Sequence, residues 1–188
     1  MTEQMILFVN ACIRKNSRTR LLAERVIRQL DGTVVEVNPA EATAPITSEG
    51  FIINRTEATA RMDFTDPAYA PARQFAEADI ILVAAPYWDL SFPAILKAYF
   101  EQINVVGLTF EYTEEGIPRG LCKAKKLIYV TTAGGPILSD EYGYGYVKAL
   151  AQTFYGIADV SQIKAEGLDM MGADVEDILN KALEGFKA

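Results

Sequence analysis

The chain has 188 residues, half of them apolar, which is enough for one well-packed domain and short for two. Its formal charge of −7 argues against a nucleic-acid backbone or an anionic membrane surface as the main partner, since both select clustered Lys and Arg. Histidine is absent and the two cysteines, Cys12 and Cys122, lie far apart without a CxxC; this removes Ser-His-Asp and Cys-His schemes, leaves no zinc or dithiol signature, and fits a reduced, cytoplasmic chain whose chemistry comes from something bound.

Met5-Ile6-Leu7-Phe8-Val9 reads as a first buried strand. Ahead of it Met1-Thr2-Glu3-Gln4 carries no basic cluster, and the apolar run stops at Asn10, so neither a secretory signal nor a membrane span is expected. A polar loop from Asn10 to Arg18 leads into a helix to about Leu30, with Leu22, Ala23, Val26, Ile27 and Leu30 on one face and Asp31-Gly32 closing it. Val34 to Val37 is a second strand, broken by Asn38-Pro39. From there to about Arg61 the pattern is weak: threonine, alanine and proline, then an apolar patch Phe51-Ile52-Ile53, read as a long connection with room for a short helix. Asp66-Pro67 caps a helix running to Ala78.

Asp79 to Ala85 is apolar without alternation after its first residue, as in a parallel strand covered on both faces. Pro86 removes a backbone donor and ends the ladder, and Pro93 suits the first turn of the next helix. Between the two prolines stand Tyr87 and Trp88. The helix carries Ile95, Leu96, Tyr99, Phe100 and Ile103 on one face. An excursion from about 107 to 123 follows, with Thr109 to Tyr112 alternating like an exposed hairpin strand and Glu115-Gly116 and Arg119-Gly120 marking turns. Lys126 to Thr132 is a fourth strand, ending in Ala133-Gly134-Gly135-Pro136. A helix from about Glu141 to Tyr155, a strand from about Val160 to Ala165 and a last helix capped by Asp174 complete the chain.

Strands alternating with helices imply a parallel sheet with right-handed crossovers and helices on both faces, in one domain over residues 1–188. With five strands the natural arrangement is a three-layer α/β, flavodoxin-like order, 2-1-3-4-5. Ligands then bind outside the carboxyl ends of the strands, where the first and third meet. Three loops converge there: Asn10 to Thr19, Pro86 to Phe92 and Thr132 to Pro136.

The first loop delivers Asn, Ser, Arg and Thr onto a helix N-terminus, where free N–H groups and the helix dipole favour an anion. The same residue types serve as ordinary N-caps, so the loop alone leaves both readings open. No GxGxxG or GxxxxGK[ST] occurs, which makes a monophosphate a better occupant than a pyrophosphate or triphosphate. The second loop offers Tyr87, Trp88 and the acceptor Asp89, and the third offers closely approaching backbone at Gly134 and Gly135. A Tyr-Gly repeat at Tyr142, Tyr144 and Tyr146 reads first as an exposed turn and second as the wall of an acceptor pocket.

Pro86-Tyr87-Trp88-Asp89-Leu90-Ser91-Phe92-Pro93 leading into Leu96-Lys97-Ala98-Tyr99-Phe100, then Gly107-Leu108-Thr109-Phe110-Glu111-Tyr112, Gly120-Leu121, Lys125-Lys126 and Thr132-Ala133-Gly134-Gly135, resembles the FMN-dependent NAD(P)H:quinone reductase and azoreductase family. The resemblance implies a flavodoxin-like fold, a non-covalent FMN and a homodimer with active sites at the subunit interface. It further implies two-electron reduction of a small acceptor, a quinone, azo or nitro compound, with NADH or NADPH and acceptor binding in turn. Carried over by position, Asn10, Ser17, Arg18 and Thr19 would hold the FMN phosphate. Pro86, Tyr87, Trp88, Asp89 and Leu90 would run along the ribityl chain and ring, and Thr132, Ala133, Gly134 and Gly135 would hold the ring's polar edge. The family often has a serine-rich phosphate loop, and Asn where this chain has Asp89; a carboxylate there would disfavour added negative charge on the flavin. No catalytic side chain is required: the proton that completes the reduction comes from water or from a tyrosine such as Tyr142, and no metal is implied. The alternative is a small FMN electron carrier without a nicotinamide site, which acidity suits and the excursion opposes.

Overall fold

The computed structural model describes residues 3–186. β1 (Met5–Asn10) is followed by α1 (Arg18–Ile27), β2 (Thr33–Val37), the short α2 (Pro39–Ala42) and α3 (Glu49–Arg61). α4 (Ala70–Glu77) leads to β3 (Ile80–Ala84) and α5 (Ala94–Ile103). A hairpin of β4 (Phe110–Tyr112) and β5 (Pro118–Gly120) precedes β6 (Lys126–Thr132), and α6 (Tyr146–Leu150), β7 (Asp159–Ala165) and α7 (Val175–Lys181) complete the order. The five-stranded sheet is arranged β2-β1-β3-β6-β7 with every pair parallel. With the hairpin set aside, this is the flavodoxin-like order expected from the sequence.

The uninterrupted apolar runs of β1, β3 and β6 reflect burial on both faces. Leu7, Val9, Ile81, Val83, Leu127 and Tyr129 join one core with Phe75, Tyr99, Phe100 and Tyr155 from the helices on that side. Their neighbours Phe8, Leu82, Ala84, Ile128 and Val130 join the other, with Leu22 and Val26 of α1 and Leu179 of α7. Each Val, Leu, Ile or Phe side chain among them, fully buried, contributes about 1.5–3 kcal/mol. The sheet centre is thereby fixed, and the loops at its carboxyl ends inherit that register.

Four elements depart from the sequence reading. The segment after Asn38 contains α2 and then α3, the 13-residue Glu49–Arg61, rather than a loop with a short helix. Its apolar patch is shallow, with Ile52 and Ile53 exposed. What anchors it is the Arg55 guanidinium, which donates to the carbonyls of Glu101, Gln102 and Asn104 at the end of α5. α1 ends at Ile27, and tighter turns carry the chain on to Leu30. In the hairpin, Thr109 and Phe110 are buried rather than exposed, Phe110 standing 4.9 Å edge-on from Phe154. Arg119-Gly120 lies in β5 and not in a turn; Gly120 presses on the backbone at Tyr155 and Gly156, where a Cβ would come within 2.1 Å of an amide nitrogen. The Tyr-Gly repeat is not an exposed turn either: Glu141–Gly145 forms a π-helical turn leading into α6, and a second π-helical turn, Ala151–Tyr155, follows it.

Candidate functional site

The polar loop after β1 is shaped from below. Asn10 is buried; its amide donates to Glu36 Oε1 at 2.7 Å and its Oδ1 accepts from the Cys12 N–H at 3.1 Å. Ser17 caps α1 by accepting from the Arg20 N–H. Thr19, 1% exposed, shares a 2.6 Å hydrogen bond with Thr132 and so ties the start of α1 to the end of β6. Of the first-turn N–H groups of α1, that of Arg20 is taken by Ser17, those of Arg18 and Thr19 have no carbonyl partner within the helix, and Ser17, Arg18 and Thr19 line a cavity of about 290 Å³. That volume lies near the lower end of small-molecule pockets, roughly 300–1,000 Å³.

The second wall is Pro86, Tyr87 and Trp88. Tyr87 N–H donates to the Thr132 carbonyl at 3.0 Å and prolongs the sheet ladder beyond β3. The chain then reverses in two residues: Trp88 and Ser91 exchange backbone hydrogen bonds of 3.1 and 2.8 Å, while Asp89 and Leu90 adopt φ of 49° and 69°. Two successive left-handed residues define the hairpin turn usually made by Asn-Gly. For Leu90 this conformation is strained, and strain of this kind concentrates at functional sites. Ser91 Oγ donates to the Tyr142 carbonyl at 2.6 Å and joins the turn to the π-helical turn.

The third wall is Thr132, Ala133 and Gly134, joined by a fourth that the sequence did not signal. The segment after β7 is stitched to the glycine loop: Gly167, Leu168 and Asp169 N–H groups donate to the carbonyls of Gly135, Ala133 and Gly134 at 3.1, 3.2 and 2.8 Å. Leu168 and Asp169 thereby line the cavity, as do Ile13, Arg14 and Asn16. Four of the sequence-read site residues stand outside its lining. Asn10 spends its side chain on Glu36 and Cys12, Asp89 and Leu90 are carried to the tip of the strained turn, and Gly135 is turned toward Gly167.

A second, mostly apolar cavity of about 590 Å³ adjoins the turn, walled by Phe92, Tyr142 and Tyr146 with Ser91 and Lys97 at its polar side. Tyr144 does not share it; its hydroxyl donates to the Val160 carbonyl at 2.8 Å, and burial pushes its pKa up. Burial likewise raises the Cys12 thiol to about 11 and the Cys122 thiol to about 12. Both therefore stay protonated at neutral pH, and neither is a nucleophile there. Among the described residues no helix is long and apolar enough to cross a membrane, and no group of three or more His, Cys, Asp or Glu could hold a metal ion.

A family described as having a flavodoxin-like fold matches residues 4–188. The chain belongs to this family. An FMN-dependent NADH:quinone oxidoreductase of Clostridium acetobutylicum is 49% identical over 121 residues, which are 62% of this chain and 60% of that protein. A protein of the same description from Clostridium beijerinckii is 44% identical over 123 residues, 64% of this chain and 61% of its own length. The matches thus span about 60% of these curated relatives. The crystal structure of an azoreductase from Bacillus anthracis superposes with a TM-score of 0.80 at 28% identity, covering 96% of this chain and 95% of that one. The flavodoxin-like frame places the cavity where the order of strands reverses, between β1 and β3.

Proposed function

We propose that this chain is an FMN-dependent NAD(P)H oxidoreductase that reduces quinones or azo compounds by two electrons. The observation that carries the reading is the convergence, in one cavity at the switch point, of a helix N-terminus bearing Ser17, Arg18 and Thr19 with the Pro86-Tyr87-Trp88 wall and the Thr132-Ala133-Gly134 loop. The donors suit FMN. The free α1 N–H groups, two hydroxyls and the guanidinium groups of Arg14 and Arg18 match a phosphate monoester, while Tyr87 and Trp88 present ring surface to a flat heterocycle. The Tyr87 hydroxyl is buried with no partner in the protein. The relatives' names point the same way.

When bound, the flavin would supply hydride transfer from nicotinamide to acceptor, the two ligands binding in turn. The protein's part is position and electrostatics. Arg14, Arg18 and the α1 N-terminus would hold the phosphate, Asn10 and Glu36 keep that loop in shape, and Trp88 would shield the ring from water. Of the loop amides read from the sequence for this role, that of Gly134 belongs to a residue lining the cavity and would be the donor for charge developing on the ring. The cavity of Phe92, Tyr142 and Tyr146 takes the acceptor, and the Tyr142 hydroxyl donates a proton to it. A homodimer through α5 and the hairpin is supported by Tyr112, Ile117 and Leu121, which are exposed on the hairpin and the residue after it.

The deciding experiment is the visible spectrum of protein incubated with FMN and desalted, before and after anaerobic NADH and then NADPH. Retained flavin bands that bleach support the reductase. Retained bands that neither nucleotide bleaches turn the reading to an electron carrier, and absence of retained flavin overturns the site assignment.

A further inference from the structure

Arg18 reaches away from its own helix. Its Nη1 donates to the Leu168 carbonyl at 2.7 Å and its Nη2 to Asp169 Oδ1 at 2.5 Å. Asp169 is itself held from two directions. Its N–H donates to the Gly134 carbonyl at 2.8 Å, and its carboxylate lies so close over Gly134 that a Cβ there would stand 2.2 Å from Oδ2. Gly134 is not among the glycines with positive φ, so what crowds this position is the Asp169 side chain, which would have to shift to admit a Cβ, and not an unusual backbone. Three chain segments meet in this clasp: the start of α1, the loop after β6 and the loop after β7.

The pair contributes little as a stabilising salt bridge, because the Asp169 side chain is 66% exposed. Its consequence is orientation. A guanidinium has five N–H donors in one plane, and the two acceptors behind Arg18 fix that plane while leaving the other donors for the cavity. An arginine already fixed loses little further freedom when it grips a ligand. We propose that Asp169 is a positioning residue for the phosphate-binding end of the site, acting through Arg18 and selective for a flavin that carries a phosphate. This rests on the FMN reading and adds to it the residue that sets phosphate recognition.

The test measures dissociation constants for FMN and for riboflavin, by quenching of flavin fluorescence, in the natural protein and in Asp169→Ala and Asp169→Asn. Asn retains an oxygen that can accept from Arg18 and lacks the charge. The expected result is that Asp169→Ala binds FMN up to about tenfold more weakly, the cost of ordering a freed arginine side chain on binding, with riboflavin binding unchanged. Asp169→Asn keeps FMN affinity at least at the natural level. Unchanged FMN affinity in Asp169→Ala, or a parallel fall for riboflavin, or failure of Asn to restore binding, overturns the positioning role while the FMN reading stands. A natural protein that binds neither flavin overturns that reading itself and the inference with it.

Discussion

The two ends of the candidate cavity are held in place by different means. At the α1 end three polar side chains are anchored by neighbours: Asn10 to Glu36, Thr19 to Thr132, Arg18 to Leu168 and Asp169. At the aromatic end the Trp88–Ser91 turn is closed by two backbone bonds around two left-handed residues, with Leu90 44% exposed at its tip. One end is preorganised by hydrogen bonds and the other by backbone conformation. A charged group must be met by donors at fixed positions, whereas a flat ring asks only for a surface of the right tilt.

The largest effect expected from breaking this contrast is on ligand binding at the bonded end. Arg18→Ala removes a charged donor from the proposed phosphate site, and loss of about 1.5–3 kcal/mol corresponds to roughly ten- to hundredfold weaker FMN binding. Riboflavin binding should be untouched; equal loss for both flavins would place Arg18 outside the phosphate site. Next is Thr19→Val, nearly the same shape, which strands the Thr132 hydroxyl beside a buried partner. The cost is about 2 kcal/mol, a fall in Tm of roughly 4–8 °C for a chain of this size. A Tm within a degree of the natural protein would show that this bond does not hold α1 to β6.

The contrast also explains which parts could be read from sequence. β1, β3 and β6 are buried on both faces, so their apolar runs announced a parallel sheet, and Pro86 and Pro93 punctuated the aromatic turn. Ser17, Arg18 and Thr19 were legible because helix starts use a small vocabulary of residues. Leu168 and Asp169 were not, because they reach the cavity through backbone bonds to the glycine loop, which any residue type can make. α3 was hidden for a related reason: its anchor is Arg55 on the carbonyls of α5, a tertiary bond that leaves no periodic trace. The turn at Asp89-Leu90 gave no warning at all, since left-handed pairs are normally signalled by Asn-Gly and leucine is a poor candidate.

The smallest effect sharpens the comparison from the aromatic end. A leucine held at φ 69° carries about 1–2 kcal/mol of steric cost, which glycine does not, while glycine gives up roughly 0.4–1 kcal/mol through the greater freedom of the unfolded chain. Leu90→Gly should therefore stabilise the protein by about 0.8 kcal/mol, the difference between the midpoints of those two ranges. Urea unfolding would show a higher midpoint with an unchanged slope. Because glycine also widens what the turn can adopt, the same substitution should loosen the wall beside Trp88 and weaken FMN and riboflavin binding alike, in contrast to the phosphate-selective loss at Arg18. Greater stability together with weaker binding of both flavins would mean that the strain at Leu90 maintains the ring surface; lower stability would mean that the leucine side chain is anchored well enough to outweigh its backbone.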